Sequence, residues 1–115
     1  MTSIIYKIVP APMWQEAVRR GSFDGAPVDL ADGFIHFSTG AQVRETAAKH
    51  FTGQDDLLLV AVDGDALGAA LRYEASRGGD LFPHLYGTLD PALSLWALPL
   101  PLGADGRHVF PELAA

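Results

Sequence analysis

Three groups of polar residues in this 115-residue chain are of types that carry chemistry. They are His36, within the apolar segment GFIHFS; the pair Arg72 and Glu74; and His84, within the segment SRGGDLFPHLYG. Imidazole gains and loses protons near neutral pH, and guanidinium donates charge-assisted hydrogen bonds to phosphate. Each group also has a structural explanation, since a strand histidine is usually hydrogen-bonded for structural reasons and an exposed Arg–Glu pair contributes little. Their joint occurrence indicates a ligand-binding site.

The segment around His84 carries further groups suited to a phosphorylated ligand with a flat ring. A Gly-Gly pair ending at Gly79 could form an anion nest from backbone N–H groups, and Arg77 could pair with a phosphate. Phe82 and Tyr86 offer aromatic faces on which a ring can stack. These residue types favour a nucleotide-like ligand, although the glycine pair could equally form an ordinary tight turn.

Metal-binding and nucleotide-fold motifs are absent from the sequence. The four histidines, at positions 36, 50, 84 and 108, are 14, 34 and 24 residues apart and form no H-x-x-x-H pair, so we predict no metal site. A carboxylate pair such as Glu74 and Asp80 could act as in glycosidases, but no spacing rule supports it. Neither G-x-x-x-x-G-K-[ST] nor G-x-G-x-x-G occurs, which excludes the NTPase and dinucleotide folds that those motifs define.

The composition is that of a folded, acidic protein. Hydrophobic residues make up 49% and charged residues 19%, which excludes an intrinsically disordered chain. Fourteen acidic residues against eight basic ones give a net charge of −6, which repels long nucleic acids. The absence of cysteine excludes disulfide bonds and thiolate chemistry. Because we find neither an apolar run of membrane-spanning length nor an export signal, we predict a single cytoplasmic domain over residues 1–115, with no membrane partner.

Strands and helices typical of an α+β protein account for most of the chain. Apolar and β-branched runs predict strands at Ser3–Val9, Asp56–Val62, Leu71–Glu74 and Ala92–Leu98, the second of them at the centre of a sheet. One helix is predicted to begin near Pro12 and to end at Gly21. Another follows a Thr39–Gln42 capping box and ends near Gly53.

The candidate site residues fall on one short strand and in loops. Segment 33–38 is predicted as a single strand whose alternation places His36 and Ser38 on the same face. Segment 22–32 lacks periodicity and is rich in Gly, Pro and Asp, so we predict a surface loop that could act as a flap. Segment 76–87 is also predicted as a loop, shaped by its two glycines and its proline.

With these residues in place, the chain resembles the family catalogued as domain of unknown function 952, a group of small bacterial proteins. The resemblance covers nearly the whole length and rests on six segments in order: Ile5-Tyr6-Lys7-Ile8, Asp32-Gly33-Phe34-Ile35-His36-Phe37-Ser38-Thr39, His50-Phe51-Thr52-Gly53, Leu57 to Asp63, Leu71-Arg72-Tyr73-Glu74 and Gly79 to Gly87. That family is in turn similar to the ADP-ribosyltransferase superfamily, especially its RNA 2′-phosphotransferase branch. The similarity implies an α+β fold with an ADP-ribosyltransferase-like split β-sheet, two main helices and a cleft for NAD between two small sheets.

The superfamily resemblance also implies where NAD would be held. In the superfamily a histidine on the first strand, often after a tyrosine, grips the ribose, and a second polar residue on a later strand helps to enclose the nicotinamide. Tyr6-Lys7 falls at the first position and His36 at the second. Lys7 departs from the usual histidine, and a lysine is a flexible point charge that cannot copy an imidazole donor. This departure favours a non-catalytic module that retains the pocket.

Together, the residues and the resemblance predict a site for NAD or a related nucleotide or phosphorylated metabolite. The predicted cofactor-binding residues are Tyr6, Lys7, His36, Ser38, Arg72, Arg77, Gly79, Phe82 and Tyr86, and the predicted catalytic residues are His36, Glu74 and His84. In an ADP-ribosyl transfer to a small acceptor, His36 and Arg72 would hold ribose and phosphate, and Glu74 or His84 would orient the acceptor. The alternative is a binding or interaction module with a degenerate active site. In either case we expect a monomer or a weak homo-oligomer.

Overall fold

Two antiparallel β-sheets and three α-helices form the framework of the protein. The structure, a computed structural model, describes residues 3–113, except for the side chain of Arg77. The strands are β1 (Ile4–Pro10), β2 (Ile35–His36), β3 (Ser38–Thr39), β4 (Leu57–Asp63), β5 (Leu71–Ala75), β6 (Leu81–Leu85) and β7 (Ser94–Pro99), and the helices are α1 (Ala11–Arg20), α2 (Pro27–Asp32) and α3 (Val43–His50). The predicted α+β class is confirmed. No helix within residues 3–113 is both long and apolar enough to cross a membrane.

The larger sheet has the strand order β3-β1-β4-β7 and carries a hydrophobic cluster on each face. On one face, Ile5 and Val9 of β1 pack with α1 and with the smaller sheet, whose order is β2-β6-β5. On the other face, Tyr6 and Ile8 pack against α3. Side chains alternate along a strand, so Lys7 lies on the same face as Ile5 and Val9. Its side chain therefore points toward the smaller sheet.

The sheets separate where the chain passes from β2 to β3. β2 pairs with β6 in the smaller sheet, whereas β3, one residue later, pairs with β1. Between them the N–H of Phe37 donates to the carbonyl of Pro83, on β6, at 2.9 Å. Pro83 has no N–H to return the bond, so the β2–β6 ladder ends here. From Lys7 onward, β1 pairs with β4 on one side. On its other side, no strand within residues 3–113 pairs with this part of β1.

Four strands and two helices lie close to their predicted positions. β1, β4, β5 and β7 begin and end within two residues of the predicted limits, and β4 is in the interior of its sheet as expected. α1 ends as predicted, because Gly21 adopts φ 80° and its N–H donates to the carbonyl of Ala17 at 2.8 Å. The Gln42 side chain accepts from the Thr39 N–H at 3.0 Å, as in a capping box, but α3 itself begins only at Val43.

The prediction of a loop over residues 22–32 is wrong for its second half, and so is the prediction of only two main helices. α2 begins at Pro27, and Gly33, with φ 86°, follows its last residue. Its Asp29 is almost fully buried, with 2% of its surface exposed. A six-residue helix is too short to show a periodic pattern or to be stable in isolation. Contacts of Asp29 with distant strands hold it instead.

Two further predictions are wrong because of one proline. Segment 33–38 contains parts of two strands in different sheets rather than a single strand, and segment 76–87, predicted as a loop, contains β6. A proline normally argues against the middle strand of a sheet. In a strand, the nitrogen and the carbonyl of one residue point to the same neighbouring strand, and at Pro83 both point toward Phe37. The hydrogen-bonded pairs between β6 and β2 end at this position, so no acceptor is left waiting for the N–H that proline lacks.

Candidate functional site

The cleft between β1 and the smaller sheet contains a cavity of ≈ 590 Å³. This volume falls within the range of sites for small molecules. Its lining comes from β1, α2, the β2–β3 crossing, α3 and β6, and it comprises Tyr6, Lys7, Ile8, Pro10, Met13, Ala26, Pro27, Val28, Asp32, His36, Phe37, Ser38, Thr46, His50, Phe51, Ser76, Phe82 and His84. The lining is mostly apolar, and its polar groups are imidazoles, hydroxyls, the Lys7 ammonium and the Asp32 carboxylate. Such a surface suits a ligand with a flat ring and a polar edge.

A buried ion pair closes the cleft on the side of α2. The ammonium of Lys7 lies 3.1 and 3.0 Å from the two carboxylate oxygens of Asp29, and the two side chains are only 7% and 1% exposed. Asp29 Oδ2 also accepts from the N–H of Ala26 at 2.7 Å. Its Oδ1 accepts from the backbone N–H of His36 at 3.1 Å and lies 2.7 Å from the ring Nδ1 of the same residue. Asp29 thus connects β1, α2 and β2.

The pKa of Asp29 is lowered from 3.8 to about 2 by these contacts. Burial raises this pKa, but the hydrogen bond from His36, the charge of Lys7 and the backbone N–H donors together lower it further. Burial lowers the pKa of Lys7, and the adjacent carboxylate opposes that change. Because Asp29 is ionised well below neutral pH, Lys7 faces a full negative charge.

His36 is fixed by carboxylates at both of its ring nitrogens. Nδ1 contacts Asp29, and Nε2 lies 2.9 Å from Oδ2 of Asp32, which is half exposed at the end of α2. One face of the ring lies near Phe34, at 4.6 Å between centroids. These contacts set the orientation of His36 in the lining of the cleft.

His84 is held by a second carboxylate on the neighbouring strand. Its Nδ1 lies 2.9 Å from Oε1 of Glu74, which also accepts from the hydroxyl of Tyr86 at 2.7 Å. These two hydrogen bonds lower the pKa of Glu74, and the carboxylate in turn raises the pKa of Tyr86. The Arg72 guanidinium lies over the Tyr86 ring, 4.6 Å from its centroid. Phe34 stacks on the His84 ring at 4.1 Å.

The structure brings six of the predicted site residues to the cavity: Tyr6, Lys7, His36, Ser38, Phe82 and His84. Glu74, Arg72 and Tyr86 lie behind His84 and outside the lining. Gly79, with φ 87°, is in the exposed turn before β6 and is also outside the lining. The side chain of Arg77 is not among those that the structure describes.

Sequence reasoning missed Asp29, Asp32 and Phe34 as organising residues of the cleft. A signal for α2 was available, because a proline at the first helical position and an aspartate two residues later are typical of a helix start. No local pattern indicates that Asp29 meets Lys7, which is 22 residues away. Within residues 3–113, no group of three or more His, Cys, Asp or Glu side chains is arranged to hold a metal ion.

The chain belongs to the DUF952 family of proteins of unknown function, whose family pattern matches residues 8–96. It is similar to protein CC0527 from Caulobacter crescentus, whose crystal structure is 50% identical in sequence, with a TM-score of 0.90 over 93% of this chain and 94% of that one. The solution NMR structure of CC0527 gives 51% identity and a TM-score of 0.83 over 90% of each chain. No curated protein matches the sequence.

Acid should destabilise the protein through Asp29. A carboxyl group whose pKa is lowered by folding stabilises the native state above its unfolded pKa, and that contribution disappears as the pH falls toward the folded value of about 2. We expect the free energy of unfolding to fall by about 2 kcal/mol between roughly pH 4 and pH 2 from this group. Urea unfolding of the wild type and of Asp29→Asn across this range measures the difference. Asp24→Asn removes an exposed carboxyl whose pKa is also lowered, by hydrogen bonds with Ser22 and Arg20, but solvent weakens such contacts, so the slope should change much less. An unchanged slope in Asp29→Asn would contradict the assignment.

Proposed function

We propose that the cleft binds a nucleotide-like small molecule of the NAD or ADP-ribose type, and that the two sheets correspond to the split sheet of ADP-ribosyltransferases. The observation that carries the proposal is that Lys7, His36 and His84, from three different strands, line one cavity of ≈ 590 Å³. The two antiparallel sheets with a cleft between them support the same assignment.

The charges of the cleft favour one end of such a ligand over the other. Asp29 neutralises Lys7, so among the side chains that the structure describes no unpaired strong cation lines the interior for a polyphosphate. The aromatic face of Phe82 suits a flat ring, and the Ser38 hydroxyl, 2.9 Å from Thr46 Oγ1, and the imidazoles suit ribose hydroxyls. We therefore place the nucleoside end inside the cleft and the phosphates toward its mouth.

The pair Glu74–His84 favours a catalytic version of this function. With Nδ1 turned to Glu74, His84 presents Nε2 to a bound acceptor and can take its hydroxyl proton. In an ADP-ribosyl transfer, the bond between ribose C1′ and nicotinamide breaks, a bond from C1′ to the acceptor oxygen forms, nicotinamide leaves, and His84 holds the proton. Glu74 then acts as a positioning residue.

The buried Lys7–Asp29 pair favours the non-catalytic alternative, because it withdraws the first-strand side chain from the ligand.

Calorimetric titration with NAD, ADP-ribose and AMP tests the binding proposal. His84→Ala removes one polar partner and a stacking surface from the lining, so we expect affinity to fall about tenfold. His108→Ala is the matched control, because this histidine contacts the carbonyl of Gln54 outside the cleft. Absence of binding by the wild type at millimolar ligand, or equal losses in the two variants, would overturn the proposal.

Release of nicotinamide from NAD separates the two versions of the function. If the protein is an enzyme, the wild type releases nicotinamide, and Glu74→Gln slows release more than it weakens binding, because it disturbs the orientation of His84 rather than the lining. Binding without release of nicotinamide by the wild type, with a range of small hydroxyl and amine acceptors present, assigns the protein to the non-catalytic alternative.

A further inference from the structure

A second cavity lies on the other side of α3, against the C-terminal segment. Its volume is ≈ 660 Å³, and it is lined by Arg44, Ala47, Ala48, Thr52, Gly106, Arg107, His108 and Phe110. None of these residues lines the cleft between the sheets. Thr46 and His50 of the same helix face the cleft instead, since positions two residues apart point about 200° away from each other around a helix. α3 therefore separates two independent hollows. We call the second one the basic groove.

The basic groove gathers positive charge without carboxylates in an otherwise acidic protein. Its lining contains two arginines and a histidine and no Asp or Glu, although the chain has a net charge of −6. Most other cations are neutralised locally, since Lys7, Arg19, Arg20 and Lys49 each lie within salt-bridge distance of a carboxylate. Among the side chains that the structure describes, Arg44, Arg72 and Arg107 make no such pair. Two of these three lie in the basic groove.

The groove also restrains the guanidinium of Arg44 and the backbone of Arg107. The guanidinium of Arg44 lies over the ring of Phe110, 5.3 Å from its centroid, a contact that restricts the long side chain. Arg107 is in a tight turn, in which its carbonyl accepts from the Gly103 N–H at 2.7 Å and its N–H donates to Asp105 Oδ1 at 3.0 Å. The carboxylate of Asp105, the nearest one in the turn, therefore accepts a hydrogen bond from the backbone N–H of Arg107.

The other two polar lining groups use donor hydrogens on protein carbonyls. Nε2 of His108 lies 2.7 Å from the carbonyl oxygen of Gln54, which can only accept, so this nitrogen carries a proton and the ring is anchored. Thr52, two residues after α3, contributes a hydroxyl that donates to the carbonyl of Ala48 and keeps its lone pairs as acceptors. The strongest donors in the groove are therefore the two guanidinium groups.

We propose that the basic groove binds a phosphate monoester, with Arg44 and Arg107 donating to the phosphate oxygens. Two guanidinium forks that pair with no carboxylate among the described side chains and lie on one concave surface are suited to a tetrahedral dianion. The acidic remainder of the protein repels polyanions, so the ligand is a small phosphorylated molecule rather than a nucleic acid. This site is independent of the cleft and of the function proposed for it.

Titration of the full chain with phenyl phosphate, followed by backbone amide NMR shifts at constant ionic strength, tests the proposal. We expect saturable shifts at residues around Arg44, Thr52 and 106–110, and none at His36 or His84. Arg107→Gln should weaken binding about tenfold, since it removes a charge-assisted pair of hydrogen bonds from an exposed position where folding is unaffected. Arg44→Lys keeps the charge but loses the planar fork and should weaken binding to a smaller extent.

Arg20→Gln is the matched control, because it removes the same charge from an ion-paired surface site outside both cavities. It should leave the affinity unchanged. Equal weakening by Arg20→Gln would show general charge attraction and overturn the proposal, as would shifts that do not saturate at millimolar ligand. Shifts confined to the cleft residues would also overturn it, and would assign the phosphate to the first cavity instead.

Discussion

Replacing Asp29 with asparagine should lower the free energy of unfolding by about 3–5 kcal/mol, the range found when one partner of a buried ion pair is removed. Asparagine is nearly the same size, so the change is one of charge rather than of packing. It leaves the Lys7 ammonium, whose side chain is 7% exposed, without the carboxylate that now lies 3.0 Å from it. It also weakens the hydrogen bonds that Ala26 and His36 donate to the carboxylate. Urea unfolding at pH 7 measures the loss.

Two further variants separate the buried charge from the other roles of Asp29. Asp32→Asn is a matched control, because Asp32 is on the same helix and contacts the same His36 ring but is 49% exposed. Its loss should stay within about 1 kcal/mol. The double variant Lys7→Met with Asp29→Asn removes both charges and should recover part of the stability lost in Asp29→Asn. Equal effects of Asp29→Asn and Asp32→Asn would contradict the role that we assign to the buried pair.

Replacing Gly25 with alanine should be the second most damaging of these changes, with a loss of about 3 kcal/mol. Gly25 adopts φ 123°, a backbone conformation that residues with a Cβ atom rarely adopt. A Cβ atom there would lie 2.9 Å from the Cβ atom of Asp29, which is closer than carbon atoms approach. Either the loop or α2 must shift, and a shift of α2 moves Asp29 away from Lys7. The loss therefore combines backbone strain with a weakened ion pair.

Gly33→Ala provides the comparison at the other end of α2. Gly33 also has a positive φ, 86°, but nothing lies within 4 Å of a Cβ atom at this position. Only the left-handed backbone conformation is penalised, so we expect a loss of about 1 kcal/mol. Thermal or urea unfolding of the two variants side by side measures the difference. A loss in Gly33→Ala as large as that in Gly25→Ala would show that the contact with Asp29 is unimportant.

The stability of the fold and the geometry of the cleft depend on the same residue. Asp29 binds the ammonium from β1 and the backbone and ring of His36 on β2, and it does so from a helix of six residues. Variants of the cleft that disturb Asp29 will consequently alter folding as well as binding. His84 is held by Glu74 rather than by Asp29, so a variant of His84 leaves the contacts of Asp29 in place.

The predictions from sequence succeeded where the signal is local. Four strands follow from apolar and β-branched runs, and the end of α1 follows from a glycine after two arginines. The histidines at 36 and 84 stand out as polar residues within apolar segments, and both line the cavity. Family membership follows from the order of short segments along the chain.

The predictions failed where a contact between distant residues overrides the local pattern. α2 looks like a loop because six residues cannot show periodicity, and it is held by a carboxylate whose cationic partner is 22 positions away. Segment 76–87 looks like a loop because of its glycines and Pro83, yet it provides the middle strand of the smaller sheet. Pro83 fits there only because β2 stops pairing with β6 at this residue, so the N–H that proline lacks is not needed.

The sequence by itself determined the α+β class, the positions of the long elements and the family, and it singled out His36 and His84, two of the three histidines that line the cleft. The tertiary structure alone decided that Lys7 meets Asp29 rather than open space, that the chain between 35 and 39 divides between two sheets, and that Arg44 and Arg107 share a second hollow. The physical reason is the separation along the chain of the residues that interact. Propensity, alternation and capping act over a few residues, whereas the partners of a buried charge and the walls of a cavity come from segments that only folding brings together.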